Sequence, residues 1–400
     1  MKVWQRFTNV RKQLPRNVES IMSVNVIQSG ELAKGILEIA DKGFGFLRTP
    51  INNYRVTNED MFVSPNLIRR YKLRSGLEVE GTIGPPKKGK GGAQMMDVVS
   101  IQGIPAEQYE EVPEFGSHLV MHPEQQIRLE TDPEEVSTRI IDMMCPIGKG
   151  TRGLIVAPPR SGKTVLLQQI AHGISVNHPE IELMVLLVDE RPEEVTAMKR
   201  SVQGEVIASS NDMDLKNHIR LSTLAIEKAK RLVEHGKDVV VLLDSLTRLS
   251  RAFNNYVSGS GRTMSGGVDA RALEIPRRMF AAARNCEGHG SLTIVATALI
   301  ETGSRMDDLI FQEFKGTGNM EMVLDRQLAE QRIFPAIDIR KSGTRKEELL
   351  LGDEMTDAVA RLRRELADLP LKETMDALIN AMRRSKTNAE LLKQLGARRF

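Results

Sequence analysis

Cysteines are scarce in this sequence, and it has neither a long apolar run nor an apolar signal core. Cys145 and Cys286 are its only cysteines, and neither lies in a C-x-x-C pair or beside a histidine cluster. This argues against a disulfide framework and a structural zinc site. The apolar run at 239–243 is far shorter than the roughly 20 residues that cross a bilayer. With no signal core at the N-terminus, we expect a cytoplasmic protein without a membrane partner.

Charge of one sign is also missing. The chain has 56 basic and 53 acidic residues, a net charge of +3. Contact with nucleic acid would therefore depend on local basic clusters. One such cluster lies in residues 1–28, which we interpret as a basic extension, with an organelle transit peptide as the alternative.

The chain divides into two regions of different pattern. From about residue 30 to 105, short strand-like runs are separated by Gly, Pro and Asn, which predicts a small β-barrel of about five strands. From Gly153 onward, continuous Val/Ile/Leu runs alternate with helical patterns, as in a mainly parallel sheet buried on both faces. The predicted division is a basic extension (1–28), a barrel domain (29–105), a proline-containing connector (106–140) and an α/β domain with a helical C-terminus (141–400).

The segment APPRSGKT at 157–164 predicts a phosphate site. In a P-loop, backbone amides between a strand and a helix surround the phosphates, a lysine reaches the terminal ones, and a hydroxyl holds Mg²⁺. Gly162, Lys163 and Thr164 occupy these positions, whereas Ala157 stands where the first glycine is usual. The strand-like run before the segment and the helical run after it provide the context that the motif requires.

Two acids follow apolar runs that we expect to be neighbouring strands. Asp244 ends DVVVLLD and is suited to orient a metal ion and its waters, while Glu190 is placed to polarise an attacking water. The alternative for each is a solvent-facing acid that merely ends a strand.

Three phenylalanines form a possible platform for unpaired bases. Phe44 and Phe46 alternate in DKGFGFLRT, which puts both rings on one strand face, and Phe62 can lie on an adjacent strand. With Lys42 and Arg48 at the edge, such rings can stack bases. The alternative is that the rings fill the barrel core.

Two Gly- and Ser-containing segments, 257–269 and 302–308, are predicted loops at the phosphate edge of the sheet. In an oligomer such loops can meet in a central hole, where Arg262 and Arg305 are candidates for contact with a nucleic-acid strand. Ordinary surface loops are the alternative.

Together these motifs closely resemble the Rho family of bacterial transcription termination factors, which are ring-forming, RNA-dependent ATPases and helicases. The resemblance covers about residues 30–400 and rests on an ordered set of segments that includes GLIVAPPRSGKT, LLVDERPEEV, VVVLLDSLTRL, GGVDARAL and RIFPAIDIRKSGTRKEELL. It implies a RecA-like ATPase domain behind a cold-shock-like OB barrel, a homohexamer, and use of ATP and Mg²⁺. The implied activity is 5'-to-3' RNA/DNA helicase action on nascent single-stranded RNA, which releases the transcript from the RNA polymerase elongation complex.

The resemblance also implies roles for individual residues. Lys163 and Thr164 bind phosphate and Mg²⁺, Asp244 holds the metal through water, and Glu190 activates water. Arg345 in SGTR matches an arginine finger from the next subunit. The nucleotide-contacting set is Arg160, Ser161, Gly162, Lys163, Thr164, Val165, Asp244, Arg191, which links to the neighbouring subunit, and Phe334, which stacks on adenine. The RNA-contacting set is Phe44, Phe46, Arg48, Asp60 and Phe62 in the barrel, with Arg262 in a Q-loop (257–269) and Arg305 in an R-loop (303–308).

The chain also departs from the family pattern. Gly92 stands where an aromatic residue of the last barrel hairpin is frequent, and Arg262 and Arg305 replace frequent lysines. We expect altered primary RNA binding as a result. Two alternatives stay open: a rotary or export ATPase of related fold, and an RNA-binding protein with a vestigial nucleotide site.

Overall fold

The computed structural model describes residues 31–86, 92–257, 267–269 and 271–397. Its first part is a mainly antiparallel sheet made of β1 (Leu32–Ile39), β2 (Gly45–Arg48), β3 (Met61–Val63), β4 (Glu78–Gly84), β5 (Gln94–Ile101) and β6 (Ile104–Pro105), with helix α1 (Pro65–Arg70) after β3. The strand order is β3-β2-β1-β4-β5-β6, and β3 pairs again with β5, which closes the barrel. Each of the five predicted runs in this region contains a strand.

Side chains that alternate between buried and partly exposed positions along the strands form the core of the barrel. Along β2, Gly45 and Leu47 point into the core, while Phe46 between them is only half-buried. Leu37, Val79 and Met95 complete a core in which all three are almost fully buried. Helix α1 was not predicted, because its six residues are too short to show a period, although an N-cap serine and a proline mark its start.

The second part is a mainly parallel sheet with helices on both faces, which confirms the predicted fold class. Its elements are β7 (Val120–Met121), α2 (Val136–Met144), β8 (Arg152–Ala157), α3 (Lys163–Asn177), β9 (Glu182–Glu190), α4 (Pro192–Ser201), β10 (Glu205–Ser210), α5 (Leu215–Glu234), β11 (Val239–Asp244), α6 (Leu246–Val257), α7 (Glu274–Ala281), β12 (Arg284–Cys286), β13 (Ser291–Leu299), α8 (Arg305–Lys315), β14 (Met320–Val323), α9 (Arg326–Glu330), β15 (Gly343–Thr344), α10 (Glu348–Leu351), α11 (Asp353–Ala367), α12 (Leu371–Arg383) and α13 (Asn388–Ala397).

The strand order β10-β9-β11-β13-β8-β14-β15 places the phosphate strand β8 between β13 and β14. All pairings from β10 to β14 are parallel, so the carboxyl ends of β8, β9, β11 and β13 share one edge. Every residue of β11 is buried. One core cluster packs α2, α3 and the C-terminal helices on one face, and a second packs α5 to α8 on the other. No helix within the described ranges is long and apolar enough to span a membrane.

Helix α2 begins at Val136, ahead of the predicted start of the α/β domain at 141. All nine of its residues are buried. Arg139 on this helix is fully buried and donates to the carbonyl groups of Met382 and Ser385, at 2.8 and 3.0 Å, which ties α2 to the C-terminal helices. The end of the predicted connector therefore packs into the core of the larger sheet, while the other boundaries stay predictions.

The barrel packs against β10 and α5. The side-chain amide of Asn53 exchanges hydrogen bonds with the backbone of β10 in both directions. Arg220 on α5 donates to Glu38 of the barrel at 2.9 Å. Gly76 has φ +90°, and a Cβ there would lie 2.4 Å from the backbone of Glu227 on α5. Only glycine fits this close approach of the two parts.

Candidate nucleotide and nucleic-acid sites

The P-loop is the turn between β8 and α3. Gly162 caps the helix with φ 89°, a left-handed conformation that favours glycine. Ser161 is buried, and its hydroxyl donates to the carbonyl oxygen of Pro158 at 2.8 Å, which fixes the turn. The amino end of the helix α3 thus points its free amides at the space where phosphates would lie.

Three of the predicted catalytic and metal-binding side chains come together beside this turn. The Lys163 Nζ lies 2.5 Å from the Asp244 Oδ1 and 3.8 Å from the Glu190 Oε2. The two acids end adjacent parallel strands and are only 1% and 3% exposed, respectively. Neither is a solvent-facing strand end. The single charge of the lysine pairs mainly with Asp244 and offsets only part of the negative charge of the two buried carboxylates.

Glu190 has the environment of a proton acceptor. Burial raises its pKa to about 7, against the opposing effect of the Lys163 charge. Its Oε2 atom has no hydrogen-bond partner among the described residues. A carboxyl whose pKa lies near neutrality is suited to take a proton from an attacking water.

The oxygen atoms at this site fit Mg²⁺. Thr164 contributes a hydroxyl, here donating to Glu194 at 3.4 Å, and Asp244 contributes a carboxylate. The Oε2 of Glu190, which accepts no hydrogen bond from the described residues, is a third oxygen beside them. Mg²⁺ prefers oxygen ligands and is usually held by one or two carboxylates together with substrate phosphates. The described residues contain no group of three or more His, Cys, Asp or Glu that could hold a metal ion.

A cavity of about 390 Å³ adjoins the P-loop on its apolar side. Phe334 is 46% exposed and lines it together with Val165 and Gly162. A Cβ on Gly162 would lie 3.3 Å from the Phe334 ring. An exposed ring beside a phosphate turn is suited to stack on a nucleotide base. A larger cavity of about 590 Å³ beside the barrel has none of the predicted site residues in its lining.

The two arginines predicted to meet a neighbouring subunit differ in their distance from this cluster. Arg191 follows Glu190, caps α4 and is exposed. Arg345 is exposed just after β15, and its backbone amide donates to Asn319 at the start of β14. Because β14 runs parallel to β8, Arg345 lies at the edge of the sheet opposite its own P-loop, about 15 Å or more away.

The three barrel rings form one cluster. The centroids of Phe44, Phe46 and Phe62 are 5.7 to 5.9 Å apart. All three rings are half-buried and lie outside the core cluster of the barrel. They are therefore not the core filling that was the alternative.

Arg48 differs from the expected exposed cation at the edge of the platform. It is 5% exposed, ion-paired with Asp60 and, at 2.5 Å, with Glu38. Its guanidinium lies 5.0 Å from the centroid of the Phe46 ring. Arg48 thus packs against the platform at Phe46, and its ion pair with Asp60 fixes its position. Glu38 was not predicted, although strand register places it opposite Phe46.

The predicted loop at 302–308 is shorter than expected, because α8 already begins at Arg305. Asp307 is fully buried and accepts from Thr302 at 2.6 Å and from Arg251 at 2.7 and 2.5 Å. These bonds anchor the helix start. Arg305 is exposed at this start. Arg262 and most of 257–269 lie outside the described residues.

Family comparisons agree with this division into two sites. Residues 33–107 match the model described as "Rho termination factor, RNA-binding domain", and residues 137–344 match "ATP synthase alpha/beta family, nucleotide-binding domain". The chain is 52% identical to transcription termination factor Rho of Bacillus subtilis over 93% of this chain and 86% of the relative. For Rho of Cereibacter sphaeroides the values are 51%, 90% and 86%, and for that of Aquifex aeolicus 48%, 98% and 91%. The chain belongs to the transcription termination factor Rho family.

A solved structure outside the Rho family shares the fold. It is an ATPase from the type III secretion system of pathogenic bacteria, 21% identical, with a TM-score of 0.58 over 77% of this chain and 94% of that chain. The fold alone therefore does not separate Rho proteins from export ATPases. The RNA-binding match and the Rho relatives decide against the predicted export alternative.

Gly92, where the sequence predicts the loss of an aromatic side chain, lies against the backbone of the preceding barrel segment. A Cβ at this position would lie 2.4 Å from the backbone oxygen of Asp60 and 2.6 Å from the backbone of Glu59. No side chain fits there unless the backbone moves. The neighbouring turn residues 87–91 lie outside the described residues.

Proposed function

We propose that this chain is the subunit of a homohexameric, ATP-driven RNA translocase that works in the cytoplasm. It binds nascent single-stranded RNA, unwinds RNA/DNA helices in the 5'-to-3' direction and releases the transcript from the RNA polymerase elongation complex. The observation that carries this proposal is the presence of a buried lysine–carboxylate cluster and a three-ring platform in one chain of the Rho family.

The nucleotide site binds and orients ATP. Amides of the P-loop hold the phosphates, with Arg160 and Ser161 in the turn and Phe334 and Val165 beside the base. Thr164 and, through water, Asp244 would hold Mg²⁺, which would neutralise phosphate charge. Lys163 moves from the two acids to the terminal phosphates, and Glu190 accepts a proton from the attacking water.

Arg345 requires a second subunit. Because it lies at the edge of the sheet opposite its own P-loop, it can act as an arginine finger only on a neighbour's nucleotide. Arg191 is exposed beside Glu190 and would meet the same neighbour. These two placements support a ring with ATP between subunits.

RNA binds in two places. The barrel platform of Phe44, Phe46 and Phe62 stacks bases, with Arg48 and Asp60 fixing its shape. Arg262 and Arg305 contact the strand in the channel; Arg305 follows the carboxyl end of β13, at the sheet edge of the P-loop. Movement at that edge during hydrolysis then pulls the RNA.

The experiment that tests this function is steady-state ATP hydrolysis by the purified protein alone, with single-stranded RNA, and with single-stranded DNA of matching sequence. Salt is held constant because phosphate contacts depend on it. We expect strong stimulation by RNA and little by DNA. A rate of ATP hydrolysis that RNA does not change would contradict the proposal and favour an export-type motor. Absence of hydrolysis would favour an RNA-binding ring with a vestigial nucleotide site.

A further inference from the structure

Thr297 is a buried residue that touches the nucleotide site but belongs to none of its motifs. It lies within β13, between the P-loop strand β8 and the strand β11 that ends at Asp244. Its side chain is completely inaccessible to solvent. The Thr297 hydroxyl donates to the Asp244 Oδ1 at 2.8 Å, and the same oxygen accepts from the Lys163 Nζ at 2.5 Å.

We expect the two hydrogen bonds to the Asp244 Oδ1, from Thr297 and from Lys163, to respond differently when a nucleotide binds. In the proposed function, Lys163 leaves Asp244 for the terminal phosphates. Asp244 is only 1% exposed, so few donors can replace the lysine at its carboxylate. A buried carboxylate without donors is strongly disfavoured. The hydroxyl of Thr297, on a central strand, stays in place and keeps one bond to Asp244.

We propose that Thr297 is a positioning residue for the metal site. Its hydroxyl holds the Asp244 carboxylate in the orientation that takes up Mg²⁺ through water, and it allows Lys163 to be released to the phosphates. This role rests on the proposed function, because it assumes that Asp244 serves a Mg²⁺–nucleotide complex. Groups that orient a metal ligand commonly alter metal affinity by about 10- to 100-fold when removed.

Thr293 provides a matched control on the same strand. It lies four residues earlier on the same face of β13 and is likewise fully buried. Its hydroxyl accepts from the Gly150 amide at 2.8 Å and donates to the Gly148 carbonyl at 3.3 Å, at the opposite end of the strand. Loss of this hydroxyl removes two buried hydrogen bonds without affecting a contact of Asp244.

The test is equilibrium binding of a fluorescent ATP analogue to the full chain over a range of Mg²⁺ concentrations and in EDTA. Thr297→Val keeps the shape of the side chain and removes the hydroxyl. We expect the Mg²⁺ concentration for half-maximal tightening of nucleotide binding to rise about tenfold. Thr297→Ser, which keeps the hydroxyl, and Thr293→Val should stay within about twofold of the parent protein.

An unchanged Mg²⁺ requirement in Thr297→Val would overturn the role, and so would an equal rise in Thr293→Val. If Thr297→Val does not fold, Thr297→Ala and Thr297→Ser form a second pair that differs only in the hydroxyl. If Mg²⁺ does not change the nucleotide affinity of the parent protein, the proposed metal site itself is refuted. If only the role of Thr297 is wrong, the parent protein still responds to Mg²⁺ and Thr297→Val responds in the same way.

Discussion

The two sheets of this molecule use buried charged side chains for different purposes. In the larger sheet, Glu190 and Asp244 are buried at strand ends and face the space where phosphates and metal would lie. In the barrel, Arg48 and Asp60 are equally buried but bind each other beneath rings that remain half-exposed. Chemistry on phosphates needs fixed charges that face the ligand in a dry site. Stacking of bases needs open ring faces with a fixed support, so there the charges only hold the rings.

This comparison predicts that a substitution in the nucleotide site leaves RNA binding by the barrel intact. Lys163→Ala should abolish ATP hydrolysis, because the terminal phosphates lose their cation, while RNA titration by the barrel stays unchanged. The control is Lys149→Ala, since Lys149 pairs with Asp238 at 2.7 Å, away from the P-loop. Retained turnover in Lys163→Ala would refute the assignment of the P-loop.

A second prediction extends the comparison across subunits. Arg345→Ala should lower RNA-stimulated turnover by about 10³- to 10⁵-fold without loss of nucleotide binding. Mixed rings of Arg345→Ala and Lys163→Ala subunits should regain part of the activity, because some interfaces combine an intact P-loop with an intact finger. Arg340→Ala, which removes a neighbouring arginine paired with Asp338, is the control. Mixed rings no more active than either variant would argue against a finger supplied by the neighbour.

The buried acid of the larger sheet predicts a pH dependence that the barrel should lack. Burial raises the pKa of Glu190 to about 7, and only the ionised carboxylate accepts a proton. The kcat/KM for ATP reports groups of the nucleotide-free protein, so with saturating RNA it should fall about tenfold per pH unit below neutrality and level off above it. RNA titration of the barrel should change little. A flat kcat/KM from about pH 5.5 to 8 would mean that Glu190 is not the base.

The smallest effect is expected in the barrel. Phe44→Ala combined with Phe46→Ala should weaken primary RNA binding by more than about 1 kcal/mol, because two stacking faces are lost. Fluorescence titration with short single-stranded RNA measures this. Ile51→Ala removes an apolar side chain that is 82% exposed in the same region and is the control. Equal affinities for the double variant and the parent protein would show that the rings do not bind bases.

Local patterns predicted most of the elements that form the two sheets. Short alternating runs and long apolar runs are visible in the sequence because they record burial on one or both faces. Several short elements were missed, among them α1, β10 and β14. Helix α1 has too few residues to show a period, and β10 and β14 are short and partly polar. The start of α8 was read as a loop, although Ser304 and Asp307 form a helix-start signal.

The sequence alone determined the fold class, the P-loop and the candidacy of Lys163, Asp244 and Glu190, because spacing along a strand or turn is a local property. Only the tertiary structure decided which strands are neighbours. The strand order of the larger sheet brings Lys163 close to Glu190 and Asp244 and places Thr297 against Asp244. It also places Arg345 at the edge of the sheet opposite the P-loop. In the barrel, strand pairing buries Arg48 against the Phe46 ring. These contacts join residues distant in the chain, and no local pattern encodes the distance between them.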